Sequence, residues 1–592
     1  MVNRQICRAD LTPAVATSLI GGLVFLTIPG CVSPLAGIDR KTDALLRERS
    51  ALIGSNLLDQ RVSNRQPDES AEADIYDPAP ATANPSPDQI AYKPAPQEIT
   101  DAQIAGRLEA FADHAAGQSP DPDGEPARPP IKITINEAFR TAQETGREFL
   151  SNQEDYILAA IRLLQERHLW GPRFFNTTSA TLSGQGDAGR FEHATQIINT
   201  LRATQRLPYG GSVEAQWVVR ATDQLRQRAT GGYVQSSELM LSADIPLLRG
   251  AGRVAREDLI QSERDLIYQA RTFERSRRQL LVSVAQDYFS LIESASGINN
   301  QVEQIQGLER LLESTKAKVE AGRLRPFQQD LSQNQVLRAK ASLAGQRERY
   351  ILQLDRFKIR LGMDVETPLD LADIDIEIPL EAITQTDAVD RALDYRLDLQ
   401  NQRDQLDDRR RAVKNARDEL LPDLNITGSV GIPTPPGDPT GGLAISPDDL
   451  DYSLGLSLDL PLDRENERLA LRSRIIGLEQ ARRDYDEFRD NLIVSARSSV
   501  RNMDLARFQL SLAEEQVRIN MQRLEDLATR DDTDPQSVVD AESELNQARN
   551  SRDQSLTDLR NAVLNYLLTT GQLRVTEDGD FQPLPQLENA GS

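Results

Sequence analysis

Acidic side chains crowd one stretch near the C-terminal end of the chain, and they are the first candidates for chemistry. The stretch holds Asp531, Asp532, Asp534, Asp540, Glu542 and Glu544. Carboxylates held close together repel one another, which raises their pKa values and attracts cations. A charge run taken alone is more often the solvated face of a helix, so the stretch by itself leaves both interpretations open.

Catalysis finds little support elsewhere in the chain. The only histidines are His114, His168 and His193, and their spacing is not that of metal ligands. The sequence has no HExxH motif, no Walker-type phosphate loop and no Ser or Cys nucleophile with a plausible base. We therefore expect no enzyme, no cofactor and no metal site.

Composition favours long helices over a large globular core. The 592 residues are 39% hydrophobic and 27% charged, with only 5% aromatic side chains. The formal net charge of -23 would repel nucleic acid phosphates, and no basic patch with interleaved aromatic residues offsets it. Nucleic acid is therefore not an expected partner.

The N-terminus has the layout of an export signal. Arg4 and Arg8 precede an apolar run that ends in small residues before Cys31. Cleavage there would remove residues 1–30 and leave Cys31 first, an arrangement that looks like a bacterial lipoprotein anchored by acyl chains, although Pro29 departs from the usual lipobox. The alternative is an ordinary signal peptide with an incidental cysteine. Beyond this run no apolar stretch is long enough to predict a transmembrane helix.

The remainder of the chain repeats itself once. The stretch LSADIPLL at 241–248 recurs 215 residues later as LSLDLPLD at 456–463, and Gly362 recurs 209 residues later as Gly571. We divide the chain into a signal peptide (1–30), a lipidated N-terminus with a disordered Pro/Asp-rich tether (31–130), repeat 1 (131–363), a connector (364–387), repeat 2 (388–575) and a polar tail (576–592).

Each repeat is predicted to run helix, strands, long helix, turn, helix. The long helices at 252–321 and 464–530 carry coiled-coil periodicity and would be rods of roughly 105 and 100 Å. Shorter helices about half that length are predicted at 135–170, 327–362, 388–421 and 536–571. The economical packing sets two long helices beside two stacked pairs of short ones, with the strands at one end and the turns at the other.

The strands alternate apolar and polar residues. In DYSLGLSLDLPLD, 451–463, the apolar face is continuous and long enough for a membrane β-barrel wall. Two repeats supply too few strands to close a barrel, so several chains must share one. Repeat 1 has an additional hairpin, 200–207 and 212–221, which either joins the barrel or lies outside it. The competing interpretation is a small soluble β-domain that caps a coiled coil.

This ordered, duplicated series resembles the TolC-type outer-membrane efflux family over residues 131–575. The resemblance implies a homotrimer with a twelve-stranded barrel, four strands from each chain, and a helical tunnel through the periplasm. It also implies docking to a periplasmic adaptor protein and to an inner-membrane RND or ABC transporter. A lipid-bearing Cys31 would match the lipoprotein branch, held in outer-membrane lipid. The segments that carry the resemblance are YRLDLQNQRDQLDDRRRAVKNARDELLPDLNITGSVG, VEAGRLRPFQQDLSQNQVLRAKASL and DYSLGLSLDLPLD.

The resemblance also suggests site residues. Asp540 matches an acidic position that rings the tunnel entrance in the family, and Asp531 stands where a tip glycine is common. We assign a pore gate to Asp540, Asp531 and Glu544. We assign adaptor contact to the tips, whose residues are Gly322, Arg323, Leu324, Arg325, Pro326, Asp532 and Asp534. The alternative for the tips is a plain helix-turn-helix connection.

The expected fold class is thus mainly α with a transmembrane β-barrel, and with long coiled-coil helices that form a periplasmic tunnel. The expected function is a passive trimeric exit channel of a tripartite efflux or type I secretion system. The alternative is a structural coiled-coil lipoprotein that acts as an envelope spacer. A channel needs strands with a lipid-facing stripe and a polar lumen, and a spacer needs neither. The sequence does not reveal the exported substrate.

Overall fold

The structure is a computed structural model, and it describes the chain in eight segments. The predicted signal peptide, Cys31, Asp531, Asp532, nearly all of the Pro-rich tether and most of the polar tail lie outside them. The described residues are 34–53, 130–187, 190–224, 234–372, 383–434, 445–530, 534–575 and 581–582.

Helices dominate these segments. They are α1 (Pro34–Ile53), α2 (Ile135–Glu144), α3 (Arg147–Leu169), α4 (Glu257–Glu320), α5 (Pro326–Leu361), α6 (Gln385–Tyr395), α7 (Leu397–Asp418), α8 (Glu465–Thr529) and α9 (Pro535–Thr569). None of them is long and apolar enough to cross a bilayer.

Strands form one large sheet and two small pairs. The large sheet contains β2 (Arg173–Asp187), β3 (Arg190–Arg206), β4 (Ser212–Gln224), β5 (Val234–Pro246), β7 (Asp423–Pro433) and β8 (Asp451–Asp459). The small pairs are β1 (Ile131–Ile133) with β6 (Leu369–Leu371), which is parallel, and β9 (Arg574–Val575) with β10 (Phe581–Gln582).

The two long helices organise the packing. Helix α4 has 64 residues and α8 has 65, so each is a rod of about 96 Å or slightly more. Helices α3 and α5 both pack along α4, while α7 and α9 both pack along α8. The predicted arrangement of two long helices beside stacked pairs of shorter ones is therefore confirmed.

Two of the four shorter helices are broken, and the prediction that they are continuous was wrong. The first is interrupted at Thr145 and the second at Arg396. The Thr145 hydroxyl donates to the carbonyl of Leu361, and Arg396 donates to the carbonyl of Thr569. Each break thus caps the C-terminus of a neighbouring helix, whose last carbonyls have no partner within their own helix.

Glycines close both of those C-termini in the left-handed conformation. Gly362 and Gly571 have φ of 76° and 70°. A Cβ on Gly362 would collide with the carbonyl of Thr145, and one on Gly571 would press on the carbonyl of Tyr395. These equivalent contacts explain why a glycine occupies the same position in both repeats.

The largest core cluster lies along α4, where α2, α3 and α5 pack against it. Its largest members come from α2, α3, α4 and α5, and the hydroxyl of Tyr288 lies 3.0 Å from the carbonyl of Ile133 and 2.7 Å from that of Ala372. Helix α1, which the sequence analysis did not predict, packs on α3 and α4 and buries Leu45 and Leu46 in this core.

Ion pairs join the two repeats along α4 and α7. Arg271 lies 2.6 Å from Asp404, and Arg411 of α7 lies 3.1 Å from Glu257 of α4. Arg264 also pairs with Asp408 between the same helices. The contact between α4 and α7, one of the two long seams between the repeats, is thus largely electrostatic.

The large sheet is antiparallel throughout, in the order β2, β3, β4, β5, β7, β8. The additional hairpin of repeat 1, β3 and β4, is hydrogen-bonded on both sides within this sheet. Within the described residues the large sheet therefore has six strands, where the resemblance implied four. Strands β2 and β8 are the two edges of the sheet within one chain.

Candidate functional site

One face of the large sheet is mostly apolar and largely exposed, with Asn176 and Asn199 as polar exceptions that share a hydrogen bond of 2.8 Å. Because side chains alternate along a strand, residues in register share a face. We name this the apolar face, and on β8 it holds Leu454 and Leu456, which are 80% and 67% exposed. One of its rows crosses four strands in register through Leu201, Trp217, Leu239 and Ile432.

The opposite face of the sheet, the polar face, carries charged and hydroxyl groups. Arg202 lies 3.1 Å from Glu214, and Arg220 lies 3.4 Å from Glu238, both pairs bridging adjacent strands. Ser429 and Ser453 share a hydrogen bond of 2.8 Å further along the sheet. Apolar exposure on one side and paired charges on the other fit a wall between lipid and water.

The turn between α4 and α5 is the better defined of the two helix tips. Gly322 has φ of +71°, and its N–H donates to Val319 while the N–H of Arg323 donates to Lys318. These two hydrogen bonds close the C-terminus of α4, with Gly322 in the left-handed region. Pro326 then starts α5, where a missing N–H costs nothing.

Four of the five predicted tip residues in this turn are exposed, and Leu324 is half-buried. Sequence reasoning missed the apolar part of this surface. Phe327 is 58% exposed and Leu331 is 42% exposed in the first two turns of α5. A large exposed aromatic residue beside the predicted tip could have been noticed from its position directly after Pro326.

The second tip is described only from Asp534 onward. Asp534 is exposed and immediately precedes α9, whose first residue is Pro535. Asp531 and Asp532, assigned to the gate and to the tip, fall outside the described residues.

The other two assigned gate residues contact different neighbours. Asp540 is exposed and accepts a hydrogen bond of 2.8 Å from Gln536, and among the described residues no Lys or Arg forms an ion pair with it. Glu544, one turn later, pairs with Arg523 of α8. Asp540 therefore keeps an unneutralised charge, whereas the charge of Glu544 is compensated within the chain.

A third carboxylate of this stretch is set into the helix bundle. The carboxyl group of Glu542 fills the space left by Gly307 on α4, where any Cβ would collide with it. Burial raises the pKa of Glu542 above its ordinary value, while Arg310 and Arg549 act in the opposite direction. Sequence reasoning did not single out this pair, because a glycine inside a long helix gives no sign of the helix it faces.

A band of amides crosses the bundle just above the acidic stretch. Asn546 of α9 donates to Gln301 and Gln304 of α4 at 3.2 and 2.7 Å, and Asn300 donates to Asn550 at 2.9 Å. Gln301 and Asn546 are buried. We call these residues the amide band; it lies in the seam between α4 and α9, close to the ion pair of Arg549 with Glu303.

The helix bundle is open at two margins. Across its tip half the helices follow the order α5, α4, α9, α8, so α5 and α8 are the outer ones. Both present uncovered apolar side chains, among them Leu352 and Ile359 on α5 and Val494 and Phe508 on α8. In the sheet half α3 and α8 are the outer helices. Helix α3 leads directly into the edge strand β2, and the other edge strand, β8, leads directly into α8.

Comparison with known proteins bears on this architecture. The family described as "Outer membrane efflux protein" matches residues 388–530. The outer membrane channel CmeC of Campylobacter jejuni superposes with a TM-score of 0.56 at 13% identity, covering 85% of this chain and 93% of its own. The chain has the fold of the TolC-like outer-membrane channels.

Two further channels give the same result. The outer membrane protein VceC of Vibrio cholerae has a TM-score of 0.56 at 15% identity, covering 74% of this chain and 96% of its own. The MtrE channel of Neisseria gonorrhoeae, in its open state, has a TM-score of 0.50 at 13% identity, covering 74% and 88%. Comparison with curated proteins finds no match.

These findings confirm the resemblance and the fold class expected from the sequence. The matched family is one of outer-membrane efflux channels and not of enzymes. Within the described residues, no group of three or more His, Cys, Asp or Glu side chains is placed to hold a metal ion. The site assignments at the tips and the gate stay predictions.

Proposed function

We propose that this chain forms a passive trimeric exit channel in the outer membrane, docked through its helical tips to a periplasmic adaptor protein and an inner-membrane RND or ABC transporter. The observation that carries the proposal is the two-faced sheet that continues into two rods of about 96 Å. The sheet spans lipid, and the rods extend the same passage into the periplasm.

The two margins of one chain support a ring. The first margin holds α5, α3 and the edge strand β2, and the second holds β8 and α8. An open sheet edge is not tolerated in hydrocarbon, so β2 must pair with β8 of a neighbouring copy. The same contact would cover the apolar side chains exposed on α5 and α8. Such head-to-tail contacts close into a ring, and three is the number of copies that the TolC-like resemblance implies.

The tips supply the contact surface for the adaptor. The turn Gly322–Pro326 is short and exposed, and Phe327 adds an apolar side chain next to it. An aromatic side chain surrounded by polar residues is typical of an interaction site. The second tip, with Asp532 and Asp534, would lie beside it in the ring. Acylation of Cys31 would anchor the same end of the chain as the sheet in outer-membrane lipid.

The acidic stretch would form the gate. Three copies of Asp540, with Asp531 and Glu544 nearby, would face the axis where the tips converge. Because Asp540 has no cationic partner among the described residues, its charge would attract cations to the entrance. Glu544 would contribute less, since Arg523 compensates its charge.

A spacer lipoprotein explains the same helices but not the sheet. A protein that only bridges envelope layers has no use for a sheet with one lipid-compatible face and one charged face. The charged pairs Arg202 with Glu214 and Arg220 with Glu238 would then face water, but a spacer gives no reason for an exposed apolar face on the other side of the same sheet.

The proposal is tested by the oligomeric state and conductance of the purified full chain. In detergent we expect a trimer by native mass spectrometry, and in planar bilayers we expect ion-conducting steps. A folded monomer that partitions into neither detergent nor lipid would overturn the channel. Docking is tested with a purified periplasmic adaptor protein of an efflux system: Phe327→Ser should weaken its binding, and Ile38→Ser, an exposed position on α1 away from the tips, should not.

A further inference from the structure

We infer that the β3–β4 hairpin is part of the membrane-embedded wall, so that each chain supplies six strands and a ring of three has eighteen. The inference rests on the proposed function and goes beyond it, because the resemblance implies a wall of twelve strands. It assigns to the hairpin a lipid contact on one side and a water-filled passage on the other.

The first support is the continuity of hydrogen bonding. Strand β3 pairs with β2 from Arg173↔Thr204 to Asp187↔Arg190, and β4 pairs with β5 from Ser212↔Asp244 to Thr222↔Val234. The hairpin therefore separates β2 from β5 along their whole paired length. A flap lying outside the wall would leave β2 and β5 next to each other, which is not the arrangement in this sheet.

The second support is that the hairpin shares the two faces of its neighbours. Ala203 and Ala215 lie in the same row of the apolar face as Leu241 of β5. One residue away, Thr204 and Glu214 lie in the row of the polar face that holds Ser242. A one-residue slip would reverse every side chain, so the match of both faces is a requirement of one continuous surface.

The third support is that the turn of the hairpin is fastened at the helix end of the sheet. Gly210 and Gly211 have φ of 108° and 80°, and a Cβ on Gly211 would collide with the carbonyl of Asp244. The N–H of Gly252 donates to the carbonyl of Tyr209 at 2.8 Å. The turn is thus packed against the junction between β5 and α4.

Contact with a helix continues this attachment. Arg206, at the end of β3, lies 3.8 Å from Glu166 of α3. Both ends of the turn are therefore held by elements of the channel body, one by α3 and one by the entry to α4. The turn of the hairpin is therefore attached to the helical part of the chain, and β3 and β4 extend from it alongside β2 and β5.

The consequence is a wider mouth with additional charge. At equal tilt the diameter of a closed sheet grows about linearly with strand number, so eighteen strands give roughly 1.5 times the width of twelve. The ion pairs Arg202 with Glu214 and Arg220 with Glu238 involve hairpin residues, and they would line this mouth.

Site-directed spin labelling tests the inference at matched depth. In the full chain with Cys7 replaced by serine and Cys31 kept as the acylation site, single cysteines are introduced by Ala203→Cys and Ala215→Cys on the apolar face of the hairpin and by Thr204→Cys on its polar face. The parent without these three cysteines gives the background signal. Leu241→Cys and Ser242→Cys on β5 are the references in the same rows. The proteins are reconstituted in phosphatidylcholine vesicles, and collision with oxygen, which favours lipid, is compared with collision with a water-soluble nickel chelate.

We expect labels at 203 and 215 to favour oxygen several-fold, as at 241, and the label at 204 to favour nickel, as at 242. If 203 and 215 favour nickel while 241 favours oxygen, the hairpin is outside the wall and the inference fails, although the channel stands. If 241 itself favours nickel, the sheet is not in lipid and the proposed function fails. All five substitutions are of modest size, and each variant is first compared with the parent for its oligomeric state.

Discussion

The sheet end and the tip end of this molecule differ in where they place apolar and polar side chains. At the sheet end, large apolar side chains such as Leu454 and Leu456 are exposed and the charged side chains are paired on the other face. At the tip end, apolar side chains line the helix seams, yet amides and a carboxylate are set among them. The arrangement at the sheet end is suited to a wall in lipid. At the tip end, the polar groups between α4 and α9 favour one alignment of these two helices.

The largest effect is expected from a charge on the apolar face of β8. Leu456→Arg should prevent assembly in the membrane, because an arginine at mid-bilayer depth on a lipid-facing strand costs about 2–4 kcal/mol. Ser457→Arg, one residue away on the polar face, is the matched control and should assemble. The measurement is the amount of trimer extracted from membranes; equal yields for both variants would refute the two faces.

A large effect is also expected where a glycine is enclosed. Gly362→Ala should strongly lower the free energy of unfolding, because the added Cβ collides with the carbonyl of Thr145. Gly322→Ala at the tip has the same left-handed backbone but open space around it, so it should cost only about 1 kcal/mol. Chemical denaturation of both variants gives the difference; similar losses would mean that backbone strain alone decides both.

Stability should depend on pH through Glu542. Its pKa in the folded protein is raised by burial, so the folded state binds a proton more tightly than the unfolded state. Stability is then greatest below the ordinary carboxyl pKa and falls as pH rises from there through the raised pKa. Glu542→Gln should remove this part of the pH dependence, measured by thermal unfolding in detergent between pH 4 and 7.

The exposed Glu514 of α8 offers the control for this prediction. Glu514→Gln should leave the slope of the parent unchanged. A slope that persists in Glu542→Gln would assign the effect to the other carboxylates whose pKa is raised by burial, Asp287 and Glu293.

The smallest effect is expected at the gate. Asp540→Asn should reduce the preference for cations, because it removes a charge that no described cation compensates. The double variant Glu544→Gln with Arg523→Gln removes a mutually compensating ion pair and leaves the net charge unchanged, so it should change the preference less. Reversal potentials under a potassium chloride gradient measure both; an unchanged value for Asp540→Asn would remove that residue from the gate.

Regular patterns in the sequence predicted most of the architecture. The alternation of leucines placed β8 correctly at its start, although the strand ends at Asp459 and not beyond it. The coiled-coil periodicity predicted α4 and α8 to within a few residues. These patterns are local, and each is enforced by a single face that must be buried or exposed.

Features that depend on residues distant in the sequence could not be predicted from such local patterns. The breaks at Thr145 and Arg396 lie in helix-favouring sequence, and only the helix ends they cap explain them. Whether β3 and β4 join the sheet depends on register with β2 and β5. The fit of Glu542 into the gap at Gly307 needs the alignment of two helices. In each case a contact across the fold decided between conformations that the local sequence allows equally.

The amide band has one more consequence, for how the tips can move. Asn546 meets Gln301 and Gln304 only when α4 and α9 stand at one longitudinal offset. Sliding either helix by a single turn would leave the two buried amides, Gln301 and Asn546, without these partners, at about 1–3 kcal/mol for each. These hydrogen bonds therefore resist sliding of α4 along α9 but do not resist bending of the pair. Any widening of the entrance should accordingly move the two helices together.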